Sequence, residues 1–300
     1  MPTLRDYRER TADELGAWGV VHATAGGTGA YVEVAASPIK SLTLQSKRFE
    51  GWYLHRPDAS EPSGDRDRRV KVPGGYDPAN GRLSPDLAYA TNVQIGERVE
   101  LFRILGGTDL NRAVNEGLKE CPCVVETVFA APPSPTRRLL IGGRGFLHHP
   151  RDVLRVGLLS PGSDPAQYDP YKARQRLEVE QNRGSWYLTG RGLPSQGSIY
   201  VESVGSFYDA CRNSPLDQFG AVSGLSTDTS ECEADPEWVA AAALVWAWRH
   251  FASVLEPAAN ARVVRSRGEA AAWFSSCSDR NWERPVRTVR APAKLWGPSR

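Results

Sequence analysis

The sequence has little of what marks exported, membrane-spanning or disulfide-stabilised chains. It contains one methionine, Met1, and five cysteines in 300 residues. An odd number of widely spaced cysteines indicates a reducing compartment. The longest apolar run, Trp238 to Trp248, is too short to span a bilayer. The charged N-terminus lacks the apolar segment of a signal peptide. We therefore expect a soluble protein with no membrane partner, assembled in the cytoplasm.

Charge and composition are also unremarkable. The formal net charge is +2, which gives no case for bulk nucleic-acid binding. Hydrophobic residues make up 40% and charged residues 24% of the chain, as in ordinary globular proteins. The length allows one large domain or two ordinary ones.

Motifs that carry chemistry are weak or missing. Cys121-Pro-Cys123 and His148-His149 offer four ligand types, but a single residue between cysteines is poor geometry for one tetrahedral ion. The glycine-rich segments at 26–29 and 141–145 lack the spacing of a phosphate loop. Ser203-Val-Gly-Ser206 lacks the pattern of a nucleophile elbow. We predict no catalytic residues, no metal and no cofactor.

The N-terminal residues predict a helix from Thr3 to Trp18. Thr3 can cap this helix, and Asp6 stands where the partner of a capping box belongs. The charged residues Arg5, Arg8 and Glu9 are predicted to lie off its apolar face. That face contains Leu4, Tyr7, Thr11 and Leu15.

Residues 19–107 predict a small antiparallel β module. The segment Tyr76-Asp-Pro-Ala-Asn-Gly81 is a strong turn, because Pro78 restricts φ and Asn80-Gly81 tolerate positive φ. Turn residues also separate short runs typical of strands. These runs are Tyr31–Val34, Leu42–Leu44, Gly51–Leu54, Arg69–Val72 and Arg98–Leu105.

A second helix and second group of strands follow. Thr108 to Lys119 predicts a helix capped by Thr108, with Leu110, Val114 and Leu118 on one stripe. The strands predicted after it are Val124–Phe129, Arg138–Ile141, Val153–Leu158, Gln175–Glu180, Ser185–Thr189 and Ser198–Val204.

The last third predicts helices and a tail. Asp235-Pro236-Glu237 is typical of a helix start, and Pro257 is expected to end this helix after Leu255. A further helix is predicted at about 258–274. The apolar face of the first helix contains Trp238, Val245, Trp248 and Phe251.

The tail, residues 279–300, is basic and contains tryptophan. Three interpretations remain open: contact with nucleic acid through phosphates and stacking, packing on a neighbouring subunit, or a solvated disordered tail. The candidate interface residues are Trp282, Arg284, Arg287, Arg290, Lys294 and Trp296.

These elements predict an α+β fold. An antiparallel β module follows an N-terminal helix, and a helix-flanked β core with C-terminal helices and an extended tail comes next. The predicted segments are 1–18 (helix), 19–107 (β module), 108–278 (β core with helices) and 279–300 (tail).

The β module resembles one that recurs in virion proteins of tailed bacteriophages. The resemblance rests on Phe49-Glu-Gly-Trp-Tyr-Leu-His-Arg-Pro-Asp58, Arg68-Arg-Val70, Gly75-Tyr-Asp-Pro-Ala-Asn-Gly-Arg-Leu-Ser-Pro85 and Gly96-Glu-Arg-Val-Glu-Leu101. One residue separates Leu83 from Pro85, where the module has two. The match covers about a fifth of the chain.

A second stretch, Asp109-Leu-Asn-Arg-Ala-Val-Asn-Glu-Gly-Leu118, is similar to the helix that opens head-to-tail adaptor proteins, with Gly117 in place of an alanine. The resemblance implies a structural virion protein, assembled in the host cytoplasm. It would form a neck ring, commonly of twelve subunits, between portal protein and tail proteins. The helix from Pro236 would belong to the ring body, and the tail would reach the portal or touch packaged DNA in passing.

Two alternatives remain. A tail-tip or fibre-associated module that binds glycan predicts an exposed aromatic platform around Trp52 and Tyr53. An enzyme is suggested by His22-Ala-Thr24, which resembles one strand tripeptide of ADP-ribosyltransferases. It predicts that His22 faces a cleft with a glutamate opposite.

Overall fold

The computed structural model of the chain confirms the α+β fold class. An N-terminal helix precedes a seven-stranded antiparallel sheet, and helices follow towards the C-terminus. The structure describes residues 1–16, 18–26, 28–34, 49–57, 66–130, 136–142, 153–159, 178–182, 185–193, 198–210, 224–282 and 288–290.

Helices and short strands come first, longer strands follow, and helices return near the end. In chain order the described elements are α1 (Leu4–Glu14), β1 (Trp18–Ala25), β2 (Val32–Val34), β3 (Tyr53–His55), β4 (Asp67–Arg69), β5 (Tyr76–Asp77), β6 (Arg82–Leu83), β7 (Arg98–Phe102), α2 (Gly107–Glu120), β8 (Pro122–Ala130), β9 (Thr136–Gly142), β10 (Val153–Leu159), β11 (Glu178–Asn182), β12 (Ser185–Leu193), β13 (Ser198–Ser206), α3 (Phe207–Ala210), α4 (Pro236–His250), α5 (Ala252–Asn260), α6 (Arg267–Trp282) and β14 (Thr288–Arg290).

Two compact units divide the chain differently from the predicted segments. The barrel unit contains Pro2–Gly117 and Asp235–Cys277. The sheet unit contains Met1, Leu118–Ala234 and Ser278–Arg300. Helices α4 and α5, which we expected beside the long-stranded β core, therefore belong with the N-terminal helix and the β module. Local sequence patterns do not show which distant segments share a core.

Helix α1 begins as predicted and ends earlier. The Thr3 hydroxyl accepts a hydrogen bond from the Asp6 N–H at 3.3 Å, and the Asp6 carboxylate accepts one from the Thr3 N–H at 2.7 Å. This is the predicted capping box. The helix stops at Glu14, and Gly16 then adopts a positive φ of 101° that redirects the chain. Trp18 consequently begins β1 instead of ending the helix.

The short strands of the barrel unit close on themselves. They follow the order β4-β3-β7-β1-β2-β6-β5, and every pair is antiparallel. Beyond β4, Val70 pairs with Pro85, and the Asp86 N–H donates to the Arg69 carbonyl oxygen at 2.7 Å. These bonds join the β4 side of the sheet to the chain after β6, so the strands form a small barrel.

Alternate residues of these strands fill the barrel interior. Phe49 packs edge-on against Trp52 and Tyr76, with ring centroids 5.0 and 5.2 Å away. The predicted turn between β5 and β6 is confirmed, because the Asp77 carboxylate accepts the Ala79 N–H at 2.9 Å and Gly81 has a φ of 66°. The predicted strand at 42–44 lies outside the described residues.

The C-terminal helices differ from prediction after a correct start. The Asp235 carboxylate accepts hydrogen bonds from the N–H groups of Glu237 and Trp238, as expected of an N-cap. Helix α4 ends at His250, however, and Pro257 lies inside α5 rather than ending a helix. Helices α5 and α6 replace the single helix predicted at about 258–274.

One finding concerns membrane spans. Among the described residues no single helix is long and apolar enough to cross a bilayer. Helices α4 and α5 reach that length and composition only as a pair, and the pair is bent by 109°.

The sheet unit contains two sheets. One has the order β10-β13-β8-β14 and the other β11-β12-β9. Five of the six strands predicted between residues 122 and 206 are present, and several extend further than expected. Of the sixth, predicted at Gln175–Glu180, only the last three residues are described, and they begin β11 (Glu178–Asn182). Strands β8 and β13 pair without interruption from Pro122↔Ser206 to Ala130↔Ser198.

Candidate functional site

Two of the six predicted interface residues lie in secondary structure that the structure describes. Trp282 is the last residue of α6, which continues beyond the predicted boundary at residue 278. Arg290 ends the short strand β14. Four further candidates lie outside the described residues: Arg284, Arg287, Lys294 and Trp296.

Strand β14 places part of the C-terminal segment in the sheet unit. Its three residues pair in parallel with β8, from Thr288↔Val124 to Arg290↔Glu126, whereas β8, β10 and β13 pair antiparallel. Along Thr127–Ala130, no described strand continues this pairing on the same side of β8. A strand edge without a partner strand can accept an extended segment through backbone hydrogen bonds.

The helix predicted to build the body of a ring is buried within the barrel unit. Trp238 and Trp248 of α4 are 4% and 5% exposed, and Val245 and Phe251 are partly buried. A Cβ added to Gly117 of α2 would lie 2.8 Å from the Ala243 nitrogen of α4. The glycine that departs from the adaptor pattern therefore lets α2 approach α4 closely.

An ion pair that sequence analysis missed attaches α1 to the barrel. Arg8 and Glu100 are both fully buried, and the guanidinium binds both carboxylate oxygens at 2.8 and 2.9 Å. Arg8 also donates to the Asn111 side chain of α2 at 2.9 Å. The prediction that Arg8 lies off the docking face is wrong, because a paired guanidinium can occupy a buried helix position.

A second arginine shapes the loop that precedes β7. Arg56 is 1% exposed, and its Nε and Nη2 donate to the Glu97 carboxylate at 2.6 and 3.0 Å. Its terminal nitrogens also donate to the carbonyl oxygens of Thr91 and Asn92 at 3.1 and 2.9 Å. The guanidinium lies 4.6 Å from the ring centroid of Tyr89. Every side-chain nitrogen of Arg56 therefore serves to hold this loop in one shape.

The loop held by Arg56 forms one wall of a cleft of about 670 Å³ in the barrel unit. Helix α1 contributes Arg5, β1 contributes His22 and β7 contributes Arg98. His22 and Arg98 are direct partners across the β1–β7 pair, so their side chains lie on the same face of the barrel. The remaining lining residues are Arg56, Thr91, Asn92, Gln94, Ile95, Gly96 and Glu97.

The cleft has only part of the geometry that the enzyme alternative predicts, which is His22 facing a cleft with a glutamate opposite. His22 is exposed and lines the cleft, and Glu97 lines it as well. Both carboxylate oxygens of Glu97 are bound by Arg56, and one also accepts the Gln94 N–H at 2.9 Å. A glutamate held in this way organises the loop, and the geometry assigns it no catalytic step.

A carboxylate from β4 caps helix α2. Asp67 accepts hydrogen bonds from the N–H groups of Gly107 and Thr108 at 3.1 and 2.8 Å, so the predicted cap by Thr108 is wrong. Asp67 also contacts the buried His55 ring at 2.7 Å. Burial raises the pKa of Asp67, but the hydrogen bond and charge of His55 and the Thr108 N–H outweigh it and leave the pKa below its usual value. Burial and the neighbouring Asp67 charge raise the pKa of Asp109.

The aromatic platform expected of a glycan-binding module is not present as predicted. Trp52 is 9% exposed and belongs to the barrel core. Tyr53 is half-buried, with the Arg69 guanidinium 4.6 Å from its ring centroid and hydrogen-bonded to its hydroxyl. The prediction of an exposed platform is therefore wrong for Trp52, because this residue, directly before β3, packs its side chain into the barrel core.

No metal centre is found where the structure describes the chain. Among those residues no three His, Cys, Asp or Glu side chains are grouped to hold an ion. Cys121 and Cys123 are both buried free thiols. The residues His148 and His149 lie outside the described ranges.

Comparison with known proteins identifies no relative of this chain. The chain matches no model of a protein family, no curated protein and no solved structure. Among the described residues, two features could take part in binding: the edge of β8 with its parallel strand β14, and the cleft beside α1.

Proposed function

We propose that this chain is a structural virion protein of a tailed bacteriophage, which assembles into a connector ring between portal and tail. The observation that carries the proposal is the parallel pairing of β14 with the edge of β8. This pairing joins a strand near the C-terminus to a sheet that is otherwise built from residues 122–206. In the virion, the β8 edge would take the corresponding C-terminal strand of the neighbouring subunit.

The physical basis is exchange of identical hydrogen bonds. A strand of three residues in parallel orientation makes few backbone bonds, so its release from its own sheet costs little. Pairing with the β8 edge of the next subunit restores the same bonds. Each subunit then donates one strand and accepts another, which is a heterologous contact. Such contacts form a ring when the rotation between subunits closes.

The test is the mass of the purified full-length protein, alone and mixed with the portal protein encoded in the same genome. A ring in either sample supports the proposal. A monomer that leaves the portal unchanged overturns it.

Matched variants connect the ring to the strand. Val289→Pro places proline in the middle of β14 and weakens its pairing, whereas Val289→Ala keeps the backbone donor. The ring should be lost with proline and retained with alanine. Rings that persist with Val289→Pro would show that another surface joins the subunits.

The two alternatives need separate measurements. A glycan-binding module requires aromatic residues other than Trp52, and a glycan screen with the full chain tests it. The ADP-ribosyltransferase alternative requires His22, so an unchanged level of any NAD-dependent labelling in His22→Ala removes it.

A further inference from the structure

We propose that the cleft beside α1 binds a nucleobase, which stacks on flat side chains of β1 and β7 and pairs with exposed carboxamides of the neighbouring loop. This site is separate from the β14–β8 contact and goes beyond the connector function. The inference starts from charge. Arg98 is paired with Glu9 and Glu100, and Arg56 is paired with Glu97. These charges are compensated inside the protein, so the cleft favours a neutral ligand over an ion.

The hydrogen-bonding groups that remain available in the cleft are neutral. Arg5 engages a partner of its own. The side chains of Asn92 and Gln94 are exposed, line the cleft and have no partner among the described residues. A carboxamide presents donor N–H groups and an acceptor oxygen in one plane. The edges of nucleobases present donors and acceptors in the same way, and Asn and Gln side chains bind them through paired hydrogen bonds.

The cleft also contains two flat groups side by side. His22 and Arg98 are direct partners in the β1–β7 ladder, and such opposed side chains have Cβ atoms about 4.5–5.5 Å apart. The bonds of Arg98 to Glu9 and Glu100 use N–H groups that lie in the plane of its guanidinium. Pairing at the edge leaves the face of this 18% exposed side chain for stacking. Unpaired bases stack on guanidinium and imidazole planes alike.

The loop that carries both carboxamides is ordered before a ligand arrives. Arg56 is buried, and it binds the Glu97 carboxylate and the carbonyl oxygens of Thr91 and Asn92. The Gln94 N–H donates to the same carboxylate at 2.9 Å. A preformed site lowers the entropic cost of binding, because fewer groups have to be ordered by the ligand.

Size and surface chemistry distinguish a nucleoside from other neutral ligands. The volume of about 670 Å³ lies in the range of small-molecule sites. Ile95, 74% exposed, adds an apolar contact. A saccharide would lack its usual aromatic partner, because the described residues that line the cleft include no Trp, Tyr or Phe. A nucleobase combines a flat face with a polar edge and fits this lining.

The experiment is calorimetric titration of the full-length protein with adenosine, guanosine, cytidine and uridine, and with ribose as the control that lacks a base. At least one nucleoside should bind, and ribose should bind at least about tenfold more weakly. Because the ligand is neutral, raising the salt concentration from about 0.05 to about 0.5 M should change the affinity less than about twofold. Tighter binding of an unstructured single strand of the same base would identify a strand as the source of the base, and the reverse a free nucleoside.

Substitutions in the lining locate the site. Asn92→Ala and Gln94→Ala each remove one carboxamide at an exposed position and should weaken nucleoside binding by about tenfold. His22→Ala removes a stacking plane, and Arg98→Lys keeps the charge but loses the planar group, so each should weaken binding by about fivefold. Asn260→Ala removes an exposed carboxamide from α5, outside the cleft, and should leave the affinity unchanged.

Four results would overturn the inference: no binding of any nucleoside, equal binding of ribose, an affinity that falls steeply with salt, or an affinity that both Asn92→Ala and Gln94→Ala leave unchanged. Because the readout is ligand affinity of the subunit, it does not depend on whether a ring forms.

Discussion

Arg8 and Arg56 of the barrel unit make nearly the same contact for different purposes. Each is almost completely buried, and each binds both oxygens of one glutamate. Arg8 lies on α1 and reaches Glu100 in the middle of β7, so its ion pair attaches a helix to the barrel. Arg56 follows β3 and binds Glu97 and the backbone of a loop.

The difference shows that the surroundings of an ion pair decide what it does. Both partners of the Arg8 pair are withdrawn from water, so loss of Arg8 leaves the buried Glu100 carboxylate with Arg98 as its one remaining cation among the described residues. The Arg56 pair lies beside the cleft, where Glu97 retains 8% exposure and water can replace a lost partner. We expect the first to control global stability and the second to control local order.

The largest effect is expected from Arg8→Met. Glu100 would keep only its contact with Arg98, and the free energy of unfolding should fall by about 3–5 kcal/mol. Urea denaturation of the purified protein measures the change. The double variant Arg8→Met/Glu100→Leu removes both charges and should recover most of the loss. A double variant as unstable as the single one would contradict this account.

Arg56→Met should cost less, about 2–3 kcal/mol, and act locally. Amide hydrogen exchange should increase at Thr91–Glu97, because the loop loses the guanidinium that holds its carbonyl groups, whereas α1 should stay protected. Arg56→Lys is the matched control, which retains charge without the fork and should recover only part of the protection. Equal increases in the loop and in α1 would show that both arginines stabilise one cooperative unit.

Gly107→Ala tests the packing at the start of α2, where Asp67 caps the helix and the His55 ring lies against Gly107. A Cβ there would lie 2.3–2.6 Å from atoms of the His55 ring, so we expect a loss of about 1–3 kcal/mol in unfolding free energy. Gly268 of α6 has open space around its Cβ position, and Gly268→Ala should instead stabilise the protein by about 0.5–1 kcal/mol. The comparison fails if both variants shift the thermal midpoint in the same direction.

The smallest effect concerns acid sensitivity at Asp67. Because its folded pKa is lowered, its contribution is complete above the unfolded pKa near 3.8 and is lost as pH falls through the folded value. Asp67→Asn should cost about 1 kcal/mol at neutral pH, the usual worth of a helix cap. Its unfolding free energy should also fall less than that of the parent between pH 5 and pH 2. Parallel pH profiles of parent and variant would contradict the assigned role.

Sequence patterns predicted local features well where neighbouring residues determine them. The capping box of Thr3 and Asp6, the N-cap at Asp235 and the turn at Asp77 depend on contacts within a few residues. The buried stripe of α2 follows helical periodicity, and its members are confirmed as buried: Leu110, Val114 and Leu118. Strand β1 was missed, because its residues alternate between buried and exposed only weakly.

The candidate sites were much less accessible to sequence reasoning. His22 was singled out for a tripeptide, and neither Arg98 nor Arg5 was connected with it. The two residues of the β1–β7 pair are 76 positions apart, so only the strand register brings them together. Arg8 was expected outside the docking face because a charged residue on a helix is usually solvated.

The sequence by itself determined the α+β class, most strands and the starts of the main helices, because hydrogen bonds and periodicity over short distances specify them. Only the tertiary structure decided that α4 and α5 share a unit with the β module, that two arginines are buried, and that β14 joins β8. Those outcomes depend on which distant surfaces exclude water together and which charges find partners there. Neither property is encoded in any single stretch of the chain.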